Sequence, residues 1–250
     1  MRYLGLLGGM SWESTVEYYR LINRGVGSRL GGLHSAPLLI HSVDFAGIAA
    51  RQQQGDWAGA GAQLADAARG LERAGAAALL LCTNTMHHVA PIIEGAVGVP
   101  LLHIVDPTGA ALQAAGVRRA ALLGTRYTME LPFWRDRLAA RYGVELVVPG
   151  EEERAEVHRV IYEELCRGIA SDASRASYGR IIDGLRATGA EAVILGCTEI
   201  TLLIGAADSP LPVFDTTALH AHAAVELLVG DGGGTPAPAP PDVAWPSART

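Results

Sequence analysis

The 250-residue sequence has no long hydrophobic run, few cysteines, few aromatics and little charge, and each shortage excludes something. Its longest uncharged apolar stretch, Ala74 to Cys82, is far short of the roughly 20 residues that span a bilayer. The opening MRYLGLLGGM is too short for a signal-peptide core before Gly8-Gly9 and the polar Ser11 and Glu13 interrupt it, so the expected compartment is the cytoplasm. Three cysteines do not make a disulfide framework, and none are spaced CxxC, which argues against a zinc ribbon or a thioredoxin-type site. His220 and His222, two apart on an expected helix, point away from each other, so no metal pair is expected. Charged residues are 18% of the chain, the net charge is -6, and no run of Lys or Arg tracks a nucleic-acid backbone. Neither a glycine-rich dinucleotide fingerprint nor a lysine for pyridoxal phosphate is found, and no cofactor is expected.

What is present is alternation. Near-continuous apolar runs at 2–7, 37–43, 76–82, 99–105, 117–123, 144–148, 191–196 and 211–214 read as strands of parallel sheets covered on both faces. Helical patterns near 13–29, 56–74, 84–95, 107–115, 129–142, 151–168, 172–188 and 217–229 separate them. The order predicts an α/β protein. The Gly/Pro/Ala-rich text from residue 231 to 250 cannot bury a core and is expected to be a mobile tail.

The two halves also repeat. Leu6-Leu7-Gly8-Gly9 recurs as Leu122-Leu123-Gly124-Thr125, and the strand ending in Cys82-Thr83 recurs as the one ending in Cys197-Thr198, an offset of 197 − 82 = 115. Val99-Pro100 through Asp106 is echoed by Leu211-Pro212 through Asp215. Three landmarks in one order predict two pseudo-symmetric domains, each with a mostly parallel four-stranded sheet flanked by helices. The expected partition is 1–106 plus 216–230 for the first and 107–215 for the second, with the active site at their interface.

Ligands of open parallel sheets bind beyond the carboxyl ends of the strands, where Cys82 and Cys197 fall. Each is followed by residues suited to helix capping and anion binding: Thr83-Asn84-Thr85 and Thr198-Glu199. A thiol beside such N–H groups is expected to ionise more easily than usual. Two thiols facing one cleft suit stereoinversion, in which a thiolate removes a Cα proton from one face and a thiol delivers one to the other. Without a cofactor as electron sink, donors such as Thr83, Asn84, Thr85 and Thr198 must stabilise the carbanion-like transition state. A lone strand-end cysteine is ordinarily a small buried hydrophobe, the reading that suits Cys166 in the expected 151–168 helix. His87 reads either as a base that tunes Cys82 or as a lining residue of the first turn. Asp44 reads as a helix cap or as a residue that orients Gln52, and Glu199 as an auxiliary base, a binder of the substrate ammonium or a first-turn acid.

Gly5-Leu6-Leu7-Gly8-Gly9-Met10-Ser11, then Cys82-Thr83-Asn84-Thr85-Met86-His87, then Gly196-Cys197-Thr198-Glu199 together resemble the aspartate/glutamate racemase family, over residues 1 to about 230. The wider text (SWEST, HSVDF, LLGTRYTME, FDTTALHA) is most similar to its bacterial broad-specificity subgroup. The resemblance implies a pyridoxal-phosphate-independent two-base mechanism with Cys82 and Cys197 as the bases. It implies substrate contacts at Met10, Gln52, Thr83, Asn84, Thr85, Thr198 and Glu199, with Thr125 and Thr128 as weaker candidates, and a homodimer acting on a small amino acid. Cys166 stands where some aspartate-selective relatives have a lysine, which favours glutamate or a broader substrate range. Rival readings are a hydantoin racemase, a maleate isomerase or a decarboxylase built on one thiol, or a non-catalytic amino-acid-binding module.

Overall fold

The computed structural model describes residues 1–230, and the expected tail at 231–250 lies outside them. The strands are β1 (Tyr3–Gly8), β2 (Leu38–Ser42), β3 (Ala76–Leu81), β4 (Leu101–Leu102), β5 (Arg119–Gly124), β6 (Glu145–Val147), β7 (Ala192–Gly196) and β8 (Val213–Asp215). The helices are α1 (Trp12–Leu30), α2 (Phe45–Gln54), α3 (Trp57–Arg73), α4 (Ala90–Glu94), α5 (Val105–Ala114), α6 (Arg126–Glu130), α7 (Phe133–Tyr142), α8 (Glu151–Glu163), α9 (Asp172–Ala187) and α10 (Thr216–Val229). The strands form two four-stranded sheets, ordered β2-β1-β3-β4 and β6-β5-β7-β8, with every pairing parallel. The two orders are the same order written twice, as the internal repeat requires.

The chain divides into two compact units. Among the described residues the first comprises Met1–Asp106, Glu130–Phe133 and 220–230; the second comprises Pro107–Met129 and Trp134–Leu219. In the first unit β1 and β3 are the central strands, and their side chains Leu4, Leu6, Leu7, Leu79, Leu80 and Leu81 are almost wholly buried. Helix α3 lays Leu64, Ala68 and Leu71 over Leu79, in one core that also takes Ile48 of α2. Helix α1 starts at Ser11, whose hydroxyl accepts from the Ser14 N–H at 3.3 Å, so an otherwise orphaned first-turn amide is satisfied. It packs close to α10: a Cβ on Gly25 would lie 2.5 Å from Val225. In the second unit β5 and β7 are central, and Trp134, Tyr178 and Phe214 are among the largest fully buried side chains. The Tyr178 hydroxyl donates to the Val157 carbonyl at 3.0 Å, tying α9 to α8.

Several expected elements differ. The 99–105 strand shrinks to β4, whose two residues pair with Leu79 and Leu80 before α5 begins at Val105. The 84–95 helix is a 3-10 turn, Thr85–Val89, followed by α4. Pro91 stands at the start of α4 and has no N–H to continue a helix from the preceding turn. Pro132 likewise separates α6 from α7. The 151–168 helix ends at Glu163, and a 3-10 turn, Leu165–Arg167, leads to Gly168 in the left-handed conformation. Helix α2 was not expected, because its sequence FAGIAARQQQ has a glycine and little apolar periodicity; Asp44 caps it by accepting the Ala46 N–H at 3.1 Å. Strand β2 lies at a sheet edge, so its last three residues are exposed despite their apolar setting in sequence.

Candidate active site

In the first unit the site is built at the carboxyl ends of β1 and β3. Gly9 leaves β1 with φ 92°, a conformation that disfavours any side chain. A Cβ there would lie 2.2 Å from the Val43 carbonyl. The Gly9 N–H donates to the Thr15 hydroxyl at 2.8 Å, which holds the loop against α1. Met10 follows and is buried in the core cluster with Ile48 and Met86. The Gln52 amide, also buried, donates to the Met86 sulfur at 3.0 Å. Met10 and Gln52 thus reach the turn that follows Cys82.

Cys82 follows β3 and has no exposed surface. Its N–H donates to the Leu7 carbonyl at 2.9 Å, and the next N–H, that of Thr83, donates to Leu81 at 2.8 Å. The thiol itself points at the Leu80 carbonyl, 4.0 Å away. Asn84 and Thr85 are buried in the 3-10 turn beyond. His87 lies in the same turn. Its Nδ1 is 2.7 Å from the Thr83 carbonyl, which can only accept, so Nδ1 carries the proton. Its Nε2 then accepts the Ile104 N–H at 3.2 Å. Both ring nitrogens are committed to backbone, which makes His87 a brace and not a base for Cys82. Against it pack the rings of His103 and His220, with centroids 4.6 and 5.6 Å away. His220 is braced in turn: Nδ1 accepts from the Tyr18 hydroxyl at 2.9 Å and Nε2 donates to the Leu102 carbonyl at 2.9 Å. Burial, with the nearby His87, pushes His220 down to about 3, so it is neutral at any ordinary pH.

In the second unit the corresponding thiol, Cys197, follows β7. Its S–H donates to the Glu199 carboxylate at 3.0 Å, a partner that Cys82 has no counterpart for in sequence. The Thr198 hydroxyl lies 3.1 Å from that of Thr217, whose N–H is capped by Asp215 at 2.8 Å. The Thr216 hydroxyl donates to the Leu195 carbonyl at 2.8 Å, so the start of α10 is stitched to the end of β7. The Thr198 carbonyl accepts from the Thr201 hydroxyl at 2.7 Å. At the end of β5, Thr125 accepts the Thr128 N–H at 3.2 Å, and the two hydroxyls are 3.1 Å apart in a buried turn.

Two readings of the thiols are corrected. Both were expected to ionise easily, yet both are pushed well above the ordinary thiol range, Cys82 by burial alone. For Cys197 burial again leads, followed by the charge and hydrogen bond of Glu199, while the Glu199 N–H acts in the opposite sense. The residue as a whole is only half-buried, but it is the sulfur that has lost water. The short 3-10 turns after each strand supply no long helix dipole to offset this. Cys166, expected as a buried hydrophobe, is exposed in the Leu165–Arg167 turn. Its thiol is pushed up to about 12 by desolvation and by the charge of Glu199. Tyr162, held neutral mainly by burial, feels Cys197, Tyr127, Cys166 and Glu199, so these five side chains share one neighbourhood. Thr201, Thr216 and Thr217 were not singled out from the sequence, and only the pattern Thr198-x-x-Thr201 hinted at the first.

Among the described residues no three His, Cys, Asp or Glu side chains gather as a metal site, and no helix is long and apolar enough to cross a membrane. The structure resembles that of a Yersinia pestis protein with a provisional Asp/Glu racemase name: identity is 53%, coverage 91% of this chain and 99% of that one, TM-score 0.86. An aspartate racemase homologue from Pyrococcus horikoshii is 34% identical, with the same coverages and a TM-score of 0.78. The aspartate racemase of Picrophilus torridus, 19% identical over 90% of this chain and 93% of that one, shares the fold at a TM-score of 0.71. The Asp/Glu/hydantoin racemase family model matches residues 7–224, a span that takes in both Cys-Thr strand ends and every strand except the start of β1. This chain therefore belongs to the Asp/Glu/hydantoin racemase family of isomerases.

Proposed function

We propose that the protein is a pyridoxal-phosphate-independent amino-acid racemase in which Cys82 and Cys197 exchange protons with opposite faces of one substrate Cα. The observation that carries the reading is the repetition of one device: each sheet has the same strand order, and the third strand of each ends in a Cys-Thr turn. A binding module has no need of a thiol at both positions. Independence from pyridoxal phosphate is supported by composition, since these 250 residues contain no lysine with which to form a Schiff base.

The two thiols have different roles at the start of a turnover. Glu199 accepts the Cys197 S–H and so holds Cys197 as the acid, ready to protonate Cα. Cys82 is the group that must be deprotonated when substrate binds, and the substrate ammonium is a cation able to stabilise its thiolate. Met10, Gln52, Asn84 and Thr85 line the Cys82 turn, and Thr125, Thr128 and Thr198 the Cys197 end. Cys166 stands where some aspartate-selective relatives have a lysine, which supports a range extending to neutral amino acids. The exposed Trp12, Val16 and Tyr19, which fall on one face of α1, support association as a homodimer.

The test is incubation of purified protein in D2O with a panel of L-amino acids including aspartate, glutamate, alanine, serine and methionine, following Cα-proton exchange and optical rotation. Exchange with inversion is expected for more than one of them. Inversion of aspartate alone would overturn the broad range, and no exchange with any would overturn the racemase reading. Cys82→Ala and Cys197→Ala should each abolish inversion; wild-type rates in both would refute the two-base mechanism.

A further inference from the structure

The two Cys-Thr turns share a second feature. In each, the carbonyl of the threonine after the cysteine is held by a side chain from the following 3-10 turn, at the same 2.7 Å: His87 Nδ1 on Thr83 and the Thr201 hydroxyl on Thr198. The donors are chemically unrelated and sit at different offsets, five residues after Cys82 and four after Cys197. Two halves of a duplicated fold have met one demand with different residues, so the demand is on the carbonyl and not on the donor.

A trans peptide explains the demand. Its N–H points opposite to its C=O, so fixing the threonine carbonyl aims the next residue's N–H the other way. In the second unit that next N–H belongs to Glu199, and it bonds the Cys197 sulfur. It is the one interaction at that thiol that favours the thiolate. In the first unit the corresponding N–H belongs to Asn84. The peptides on either side of Cys82 are already fixed through the Leu7 and Leu81 carbonyls, and the His87 brace fixes the third in the series.

We infer that His87 and Thr201 are matched positioning residues, each clamping a threonine carbonyl and with it the orientation of the peptide that follows its Cys-Thr pair. The inference rests on the two-thiol reading of the function. Displacement of a reacting group by about 1 Å costs on the order of 10²-fold, so loss of either clamp should lower kcat by about that factor while KM moves less than about threefold.

The substitutions that separate the clamp from packing are close in size. His87→Gln places an acceptor near the Nε2 position for Ile104 but gives up the donor to Thr83, whereas His87→Asn keeps a donor near the Nδ1 position. Thr201→Val removes the hydroxyl at an exposed residue, and Thr201→Ser restores it. Each variant is assayed in D2O with both enantiomers of the fastest substrate of the panel. Slowing one thiol lets the other deprotonate its own enantiomer and return deuterium to the same face. His87→Gln should therefore load deuterium into one enantiomer ahead of inversion, and Thr201→Val into the opposite one. His87→Asn and Thr201→Ser should stay within about threefold of wild type. Wild-type turnover in both donor-deleted variants, or deuterium entering the same enantiomer in both, would overturn the inference. If His87→Gln does not fold, the surface variant decides alone: unselective wash-in by Thr201→Val overturns it. Cys82→Ala and Cys197→Ala run alongside, and retained inversion in them points to failure of the two-thiol reading instead.

Discussion

Acidification should destabilise the first unit through His220. This ring has no exposed surface, and its two nitrogens are committed to the Tyr18 hydroxyl and the Leu102 carbonyl. The groups facing it are Tyr18, His87 and, more distantly, Asp106. Its folded value, pushed down to about 3, lies below the ordinary 6.5. The unfolded chain therefore binds the proton first, and stability falls with pH. The contribution is complete above about 6.5 and is lost progressively from there down to about 3. Linkage gives about 1.4 kcal/mol per pH unit inside that window, so a fall from pH 7 to pH 5 removes about 2 kcal/mol. In a chain of this size that corresponds to about 4–8 °C in Tm. Urea unfolding followed by tryptophan fluorescence at pH 7, 6, 5.5 and 5 measures it, with His220→Gln as the reference that cannot take up the proton. The variant should be less stable at pH 7 by about 1 kcal/mol, for the lost acceptor of the Tyr18 hydroxyl. It should overtake the wild type as the pH falls to 5. Stability curves that run parallel from pH 7 to 5 would refute the reasoning, because the other histidines titrate in both proteins.

Three further outcomes are expected. Glu199→Gln removes the charge that raises the Cys197 thiol and turns one carboxylate oxygen into an amide donor while leaving the backbone N–H that lowers it, so alkylation of Cys197 by iodoacetamide should move to lower pH; peptide mass mapping across a pH series reads this, and an unmoved profile contradicts it. Gly9→Ala should destabilise the protein by more than about 1 kcal/mol in urea melts from the left-handed backbone alone, with the clash against Val43 adding to it. Leu80→Ala, at a fully buried residue paired with Leu6 and Leu102, should cost about 2–5 kcal/mol for lost contact and residual cavity.

Much of the architecture was legible because parallel strands covered on both faces must be apolar along their length, and runs such as Leu79-Leu80-Leu81 and Val193-Ile194-Leu195 satisfy that with no knowledge of their partners. Proline explains two of the misplaced boundaries: Pro91 and Pro132 broke helical patterns that apolar spacing alone carried through. Helix α2 was missed since its burial comes from Ile48 and Gln52, too few anchors to register as a period.

By itself the sequence determined the α/β class, the duplication and the pair of Cys-Thr strand ends, since all three are properties of order along the chain. Only the tertiary structure decided how those ends behave. Both thiols ionise less readily than the residue types around them suggested, because desolvation depends on everything packed nearby and not on the next three residues. His87 became a brace because its ring meets Ile104, seventeen positions away, and rests on His220, which in turn reaches Leu102 across 118 positions. Hydrogen bonds of that reach leave no local pattern in a sequence, and they exist only once the chain has folded.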